Sequence, residues 1–273
     1  MPAVTTLLFD FPPGPILTKH YTTLMFGLSE TVQAKWALGL ALVMTACTSE
    51  PLDPSAGASA SGGNSGGGGT MCSAALRQAL ALVERASEAQ VRVLSENGDE
   101  RIVYVDATTG GIAHQQTEPW VYLSLATGER VALNDFEALE SKGWDLALKR
   151  AVLRTNSGDS GPGLGGALGV QSSWAGLDLT TAQTLDLKSE VWFDGECNLL
   201  TDAAGGVLTT FAAWNVYDEA THTLAPAPGV LYAVRGGDGK LYKLQIVDYY
   251  SNADGTTGAR DGGNYKLRIA PLE

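Results

Sequence analysis

The sequence holds few of the residues that build catalytic and metal centres. Its 273 residues include three cysteines and three histidines, and of the histidines only His114 and His222 lie beyond the export signal described below. The chain has no pair of acids beside a base, and no cluster of His, Cys and Glu at metal-ligand spacing. It is therefore expected to be a non-catalytic protein.

Basic residues and long apolar runs are equally scarce. Lys and Arg number 18 against 30 Asp and Glu, which makes the formal net charge −12. Because binding of nucleic-acid phosphates requires a basic surface, this balance argues against a nucleic-acid partner and is typical of a solvated acidic surface. The apolar run Trp36–Met44 is too short to span a membrane as an ordinary helix.

That apolar run has the flanks of an export signal. Lys35 precedes it, and the small residues Thr45 and Ala46 lead directly into Cys47. This is the arrangement of a bacterial lipoprotein signal, in which the cysteine becomes the lipidated first residue and the only membrane attachment. The alternative is an ordinary secreted protein cleaved near Ala46. Since no aspartate follows Cys47, the lipoprotein resemblance implies an outer-membrane or cell-surface location, or release from the cell.

These features predict four segments along the chain. Signals of this kind begin within a few residues of the start, so residues 1–24 are interpreted as a gene-model extension before Met25. Residues 25–46 form the signal. Residues 47–72 form a flexible tether, because a stretch of Ser, Gly, Ala and Pro cannot bury enough apolar surface to offset the entropy of ordering. Residues 73–273 form the folded domain.

The remaining cysteines form an even pair once Cys47 carries lipid. In an oxidising compartment such a pair favours a disulfide. We expect Cys72 and Cys197 to be bridged, which would tie the start of the domain to its middle. The alternative is two unpaired buried thiols.

The domain is predicted to be mainly antiparallel β-structure with one N-terminal helix. Ser73–Ala89 combines helix-forming residues with apolar side chains at helical spacing, whereas period-two alternation and Asp-Gly or Gly-Asn turns predict strands and hairpins in the remainder. The run Trp144–Leu153 is interpreted as one buried strand before a glycine-rich loop, Gly158–Gly166. The other predicted strands are Arg101–Asp106, Trp120–Leu125, Arg130–Leu133, Leu231–Val234, Leu241–Val247 and Tyr265–Ile269.

The glycine-rich loop matches two short motifs whose surroundings argue against them. Gly158-Asp-Ser-Gly161 resembles a chymotrypsin-like nucleophile motif, but neither histidine stands in that family's Ala-Ala-His-Cys context. Gly161–Gly166 fits a dinucleotide fingerprint but no helix follows to receive the phosphate. Asp238, Asp254 and Asp261, each beside a glycine, lack the ligand spacing of a calcium loop and are interpreted as hairpin turns.

Five blocks follow one another along the domain: Trp120–Gly128, Trp144–Arg150, Arg154–Gly161 with Gly165–Ala167, Val234–Gly239 and Lys243–Tyr249. Together they span roughly residues 100–270 and resemble the HmuY family of bacterial lipoproteins. The resemblance implies an all-β, sandwich-like domain that captures haem or a related tetrapyrrole outside the cell without catalysis and passes it to an outer-membrane transporter.

The same resemblance directs attention to particular haem-iron ligands. The axial histidines of the family's best-known member align with about Glu196 and with Asn215–Tyr217, where this chain has no histidine. His222 lies a few residues further on, Tyr217 can bind iron as tyrosinate, and His114 precedes the first block. These three residues are the candidate ligands.

The sequence leaves open one alternative for the histidines and one for the function. Lone histidines in loops, such as these, are usually exposed or hydrogen-bonded to backbone. A pair of methionine ligands to iron is excluded, because Met71 is the only methionine after the signal. The alternative function is therefore a surface lipoprotein of the same fold with a different ligand or with a structural or interaction role.

Overall fold

The computed structural model describes residues 80–201 and 206–273 of the chain, together with Cys72 and Gln78. The predicted extension, signal and lipidation site Cys47 lie outside these residues, as does the tether apart from Cys72. Within the described ranges, no helix is long and apolar enough to cross a membrane.

Strands dominate the described part of the chain, with short helices at Asp135–Ala138 and Leu179–Gln183 between them. Single 3-10 turns lie at Ile112–His114 and Gly158–Ser160. The strands in chain order are β1 Val91–Asn97, β2 Glu100–Asp106, β3 Val121–Leu123, β4 Arg130–Val131, β5 Leu146–Lys149, β6 Val152–Thr155, β7 Gly166–Gln171, β8 Asn215–Asp218, β9 Thr223–Pro226, β10 Val230–Arg235, β11 Leu241–Asp248 and β12 Asn264–Pro271.

These strands pair in an antiparallel manner. One sheet has six strands in the order β1-β2-β12-β11-β10-β7, a second has four in the order β4-β3-β5-β6, and β8 and β9 form a separate hairpin. The prediction of an antiparallel all-β domain is therefore confirmed.

The main core lies between the six-stranded and four-stranded sheets. Since side chains alternate across a strand, Leu146 and Leu148 of β5 point into this core, in one cluster with Val103 of β2 and Leu244 of β11. The intervening Ala147 belongs to a second cluster on the other face. Because burying a large apolar side chain contributes about 1.5–3 kcal/mol, this shared core holds the two sheets face to face as a sandwich.

Both outer faces of the sandwich are also covered. On the six-stranded sheet, Leu231 packs with Ala182 of the short helix Leu179–Gln183. On the four-stranded sheet, Tyr122 packs with Leu80 and Trp192. The domain is thus built in layers, and the segments around Leu80 and Trp192 close the layer outside the four-stranded sheet.

Two predicted elements differ from the structure. Of the predicted helix Ser73–Ala89, residues 73–77 and 79 lie outside the described residues, Gln78 and Leu80 are helical, and residues 82–89 are irregular, so the second half of the prediction is wrong. The run Trp144–Leu153 is not one strand: it folds into the hairpin β5–β6 at Arg150, whose φ is 51°. Sequence reasoning missed this turn because it contains neither glycine nor proline, and the Arg150 amide is held by the Ala107 carbonyl at 2.8 Å.

Cys72 and Cys197 are joined by a disulfide, and the alternative of two free thiols does not hold in the structure. Cys72 packs into the layer outside the four-stranded sheet. Because the bridge spans a sequence separation of 125 residues, it restricts the unfolded chain, an effect that typically stabilises a fold by about 2–4 kcal/mol. The bridge ties the start of the domain to the segment that follows Trp192.

Candidate functional site

His222 ends the loop of the hairpin formed by β8 and β9. Asp218 pairs with Thr223 at the end of the hairpin, so residues 219–222 form the connecting loop. The Asp218 side chain accepts a hydrogen bond from the Ala220 amide at 2.8 Å and begins the turn. His222 completes the turn with a φ of 55°, a left-handed conformation that histidine adopts more readily than most residues.

This loop conformation places His222 against Tyr217 of β8. The Tyr217 hydroxyl oxygen and the His222 Nδ1 are 2.7 Å apart, within hydrogen-bond distance, and the ring centroids are 6.2 Å apart. Both side chains are exposed, Tyr217 by 54%. The contact uses Nδ1, so the Nε2 atom of His222 takes no part in it.

The chemistry of this pair suits iron ligation in either tautomer. A ligating histidine usually donates its second ring N–H to an acceptor, which orients the ring and raises its basicity, and the Tyr217 oxygen stands at that position. In the opposite tautomer, the Tyr217 hydroxyl donates to Nδ1 and its oxygen gains the phenolate character that a haem-ligating tyrosine needs. The pair thus combines two residue types that can ligate haem iron, in a contact through which one ring can orient the other.

The base of the hairpin is firmly anchored, in contrast to its exposed tip. Trp214, directly before β8, donates from Nε1 to the Ala151 carbonyl at 2.9 Å and packs against Tyr249 with ring centroids 5.1 Å apart. On the second strand, the Leu224 amide donates to the Tyr250 hydroxyl at 3.2 Å. The sandwich therefore fixes the direction in which the hairpin extends.

His114 lies elsewhere, in the loop between β2 and β3. It ends the 3-10 turn Ile112–His114 and is exposed, and its carbonyl accepts hydrogen bonds from Thr117 and Glu118 at 2.9 and 3.0 Å. In the described ranges, no hydrogen bond, ion pair or ring contact joins His114 to the β8–β9 hairpin. The structure brings together two of the three predicted ligands and leaves the third apart.

The positions aligned with the family's axial histidines have separate environments. Glu196 is exposed in the loop before Cys197, and its amide donates to Asp194 Oδ1 at 3.0 Å. Asn215–Tyr217 belongs to β8, where Tyr217 carries the contact with His222. Of these aligned positions, Tyr217 is the one that the structure pairs with an imidazole.

The glycine-rich loop Gly158–Gly166 wraps around the buried side chain of Asn156. Asn156 donates from Nδ2 to the Trp144 carbonyl at 2.9 Å and accepts from the Gly163 amide at 2.9 Å. A Cβ at Gly163 or Gly165 would lie 2.6 or 2.5 Å from the Asn156 carbonyl oxygen. The glycines are therefore required by close packing against the chain itself, rather than by a bound phosphate.

The protease-like serine in this loop has a structural environment. Ser160 is fully buried, and its Oγ accepts a hydrogen bond from Arg154 Nη1 at 3.0 Å. Asp159 accepts the Trp192 amide at 2.7 Å and so holds the segment that covers the four-stranded sheet. The dinucleotide-like glycines lead into strand β7 instead of a helix.

Glu190 is a buried acidic residue that was not predicted as functional, since it stands in no motif or periodic pattern of the sequence. It is 1% exposed and accepts hydrogen bonds from Thr155, Trp192 and Thr210. Burial raises the pKa of its carboxyl group, although these donors oppose the rise. Glu190 thereby joins the end of β6 to the covering segment around Trp192.

The described residues contain no group of three or more His, Cys, Asp or Glu side chains that could hold a metal ion. The aspartates beside glycines act in turns: Asp238 accepts the Lys240 amide at 3.0 Å, and Asp254 accepts the Thr256 amide at 2.9 Å. Their carboxylates are thus used to form the hairpin loops that the sequence predicts.

Comparison with protein families identifies one match. The family described as HmuY protein matches residues 116–261, a range that contains the glycine-rich loop and the β8–β9 hairpin. No curated protein matches the sequence.

Solved structures with weak similarity to the chain include the following three. A protein from Bacteroides fragilis described as a candidate lipoprotein is 19% identical, with 66% of this chain and 94% of that one covered and a TM-score of 0.41. A candidate HmuY-like haem-binding protein from Bacteroides vulgatus is 17% identical, with 67% and 100% covered and a TM-score of 0.41. An apo HmuY analogue from Tannerella forsythia is 17% identical, with 68% and 100% covered and a TM-score of 0.42.

Proposed function

The chain belongs to the HmuY family, and on that premise we propose that it is a non-catalytic haem-binding protein of the bacterial cell envelope. It takes up haem or a related tetrapyrrole outside the cell and passes it to an outer-membrane transporter. The observation that carries the proposal is the contact between Tyr217 and His222, two residue types that ligate haem iron, at 2.7 Å on an exposed hairpin.

The position of this pair supports capture of a ligand from solution. The hairpin tip is open to solvent, so a flat tetrapyrrole can approach without rearrangement of the sandwich. The base is fixed through Trp214 and Leu224, and a preorganised ligand pair loses less conformational entropy when iron binds. In this proposal one residue of the pair binds iron and the other orients it.

A hemin titration tests the proposal. The purified protein is expected to shift the Soret absorption of hemin with an end point of one hemin per chain. Both Tyr217→Phe and His222→Ala are expected to weaken binding at least tenfold, about 1.4 kcal/mol, because each removes either the iron ligand or its partner. Electron paramagnetic resonance of the ferric complex would then distinguish phenolate from imidazole ligation.

Two controls accompany the titration. Tyr104→Phe removes a tyrosine hydroxyl that donates to Asn264 at 2.6 Å, away from the hairpin, and is expected to bind hemin like the wild type. His114→Ala is expected to do the same, because His114 has no contact with the pair. The absence of a stoichiometric Soret shift in both iron oxidation states would contradict haem binding, and wild-type affinity in both hairpin variants would contradict the site.

The proposal includes attachment to the outer membrane through a lipid on Cys47. Replacing this residue, as Cys47→Ser, removes the thiol to which the lipid would be joined, so the protein is expected to move from the membrane fraction to the soluble fraction. Metabolic labelling with a radioactive fatty acid should mark the wild type and fail to mark the variant. Equal labelling of both proteins would contradict lipidation at Cys47.

A further inference from the structure

A cavity of about 240 Å³ lies on the outer face of the four-stranded sheet, and neither Tyr217 nor His222 lines it. Its walls combine two indole rings, aliphatic side chains and a few polar groups. The residues that matter for its chemistry are Trp120, Trp192, Val152, Leu199, Gln115 and Lys149. None of these residues is among the candidate ligands predicted from the sequence.

Lys149 supplies an incompletely paired cation to this cavity. Its side chain is 3% exposed, and its Nζ donates to the Ala81 carbonyl at 3.1 Å. An ammonium group carries three donors, and none of the ion pairs among the described residues includes Lys149. Because burial of an unpaired charge is costly, binding of an anion by this ammonium group would be favourable.

The acidic groups near Lys149 are already engaged. Asp135 accepts the amides of Val83 and Trp120 at 2.9 and 3.0 Å and the hydroxyl of Tyr122 at 3.1 Å. Glu118 forms an ion pair with Arg85 at 2.6 Å. Neither carboxylate therefore neutralises the lysine directly.

A second cation lies behind the cavity wall and adds to the positive potential. The guanidinium carbon of Arg154 lies 4.4 Å from the centre of the Trp120 ring, and Arg154 is fully buried. Its Nη2 donates to the neutral hydroxyl of Tyr122 at 2.8 Å, and its Nη1 donates to Ser160. Because its hydrogen-bond partners are uncharged, Arg154 adds its own positive charge to that of Lys149 on this side of the sheet.

Size and wall chemistry restrict the ligand class. Pockets for drug-sized ligands measure about 300–1,000 Å³, so a cavity of about 240 Å³ accommodates a single ring with a short substituent and excludes a tetrapyrrole. Indole walls favour an aromatic ring through stacking or edge contacts. The cation at Lys149 favours a carboxylate on that ring's substituent.

We propose that this cavity binds a small aromatic monocarboxylate, with its carboxylate on the Lys149 ammonium group and its ring against Trp120 and Trp192. This site is separate from the hairpin and does not depend on haem binding. The two sites can be tested on the same protein with different probes, so failure of one proposal leaves the other unaffected.

Phenylacetate and its neutral isostere phenylacetamide are the probes, measured by isothermal titration calorimetry. Phenylacetate is expected to bind once per chain, and phenylacetamide at least tenfold more weakly, because the amide cannot form the ion pair. Lys149→Met is expected to weaken phenylacetate binding at least tenfold. Lys266→Met is the matched control, since Lys266 also donates from Nζ to a backbone carbonyl, that of Gly255 at 2.8 Å, but lies outside the cavity.

A second variant tests the cavity without changing its charge. Leu199→Trp fills the space and is expected to abolish binding while Lys149 stays in place. Burial lowers the pKa of Lys149 to about 8; Arg154 lowers it further, whereas Asp135 and Glu118 oppose the change. The affinity of the wild type for phenylacetate should therefore fall as the pH rises through this value, because the ammonium group loses its charge. Equal binding of acid and amide, or unchanged affinity in both Lys149→Met and Leu199→Trp, would overturn the proposal, as would the absence of saturable binding.

Discussion

Replacing Glu190 by alanine is expected to lower the free energy of unfolding by about 4 kcal/mol, since each buried donor left without an acceptor costs about 1–3 kcal/mol. Three N–H groups lose their acceptor: the amides of Thr155 and Thr210, at 2.9 and 3.1 Å, and the indole of Trp192, at 3.1 Å. The variant also leaves a cavity at a residue that is 1% exposed. The wild type and the variant are compared by urea denaturation at neutral pH.

The matched control for this variant is Glu96→Ala. Glu96 is an exposed glutamate paired with Arg101 at 2.9 Å, and exposed ion pairs contribute about 0–1 kcal/mol. A Glu190→Ala protein no less stable than Glu96→Ala would show that the buried hydrogen bonds contribute little. The segment around Trp192 is also expected to become less ordered in Glu190→Ala. Quenching of tryptophan fluorescence by a soluble quencher can detect this change.

The same residue makes stability depend on pH in a defined direction. Burial raises the pKa of Glu190 above its ordinary value of 4.5. A raised folded-state pKa means that the contribution of this group is complete below the unfolded-state pKa and is lost as the pH rises through the folded-state pKa. The wild type is therefore expected to lose stability relative to Glu190→Gln as the pH rises above 4.5. Parallel pH profiles of the two urea midpoints would contradict a raised pKa.

Replacing Gly158 by alanine is the second substitution with a large expected effect, about 3 kcal/mol. Part of this is strain, because φ is +53° and a side chain in the left-handed region costs about 1 kcal/mol or more. The remainder is overpacking, typically about 1–3 kcal/mol, because the added Cβ would overlap the Glu190 carbonyl oxygen. Backbone has to move to relieve that contact.

Gly98→Ala separates these two contributions. Gly98 has a similar φ of +61°, but nothing lies within 4 Å of an added Cβ. This control is expected to lose about 1 kcal/mol from strain alone. Thermal unfolding of both variants measures the difference, and equal losses at the two positions would mean that the packing against Glu190 can relax at no cost.

Much of the fold is predictable because its signals are local. Alternation predicts β2, β11 and β12, and the glycines of residues 236–239 predict the hairpin between β10 and β11. The turn at Arg150 is not predictable in this way, since its positive φ of 51° is imposed by contacts with the Ala107 and Gly262 carbonyls. The tertiary environment there overrides the local preference of the sequence.

The candidate site is likewise predictable only in part from the sequence. His222 and Tyr217 can be proposed from the sequence because they lie at or near a position aligned with an axial histidine of the family, and both residue types ligate haem iron. Their contact depends on the loop conformation at His222, and the separation of His114 from them depends on the arrangement of the sheets. Spacing along the chain carries no information on either distance.

By itself, the sequence determined the antiparallel β class, the family and the short set of candidate ligands, because alternation, turn residues and ordered motifs are properties of neighbouring residues. The tertiary structure alone decided which candidates meet, why the glycines crowd around Asn156, and that Lys149 faces a cavity. Lys149 and the Ala81 carbonyl are 68 residues apart in the chain. Contacts of that kind arise from packing of the layers, which selects partners by shape and burial rather than by sequence proximity.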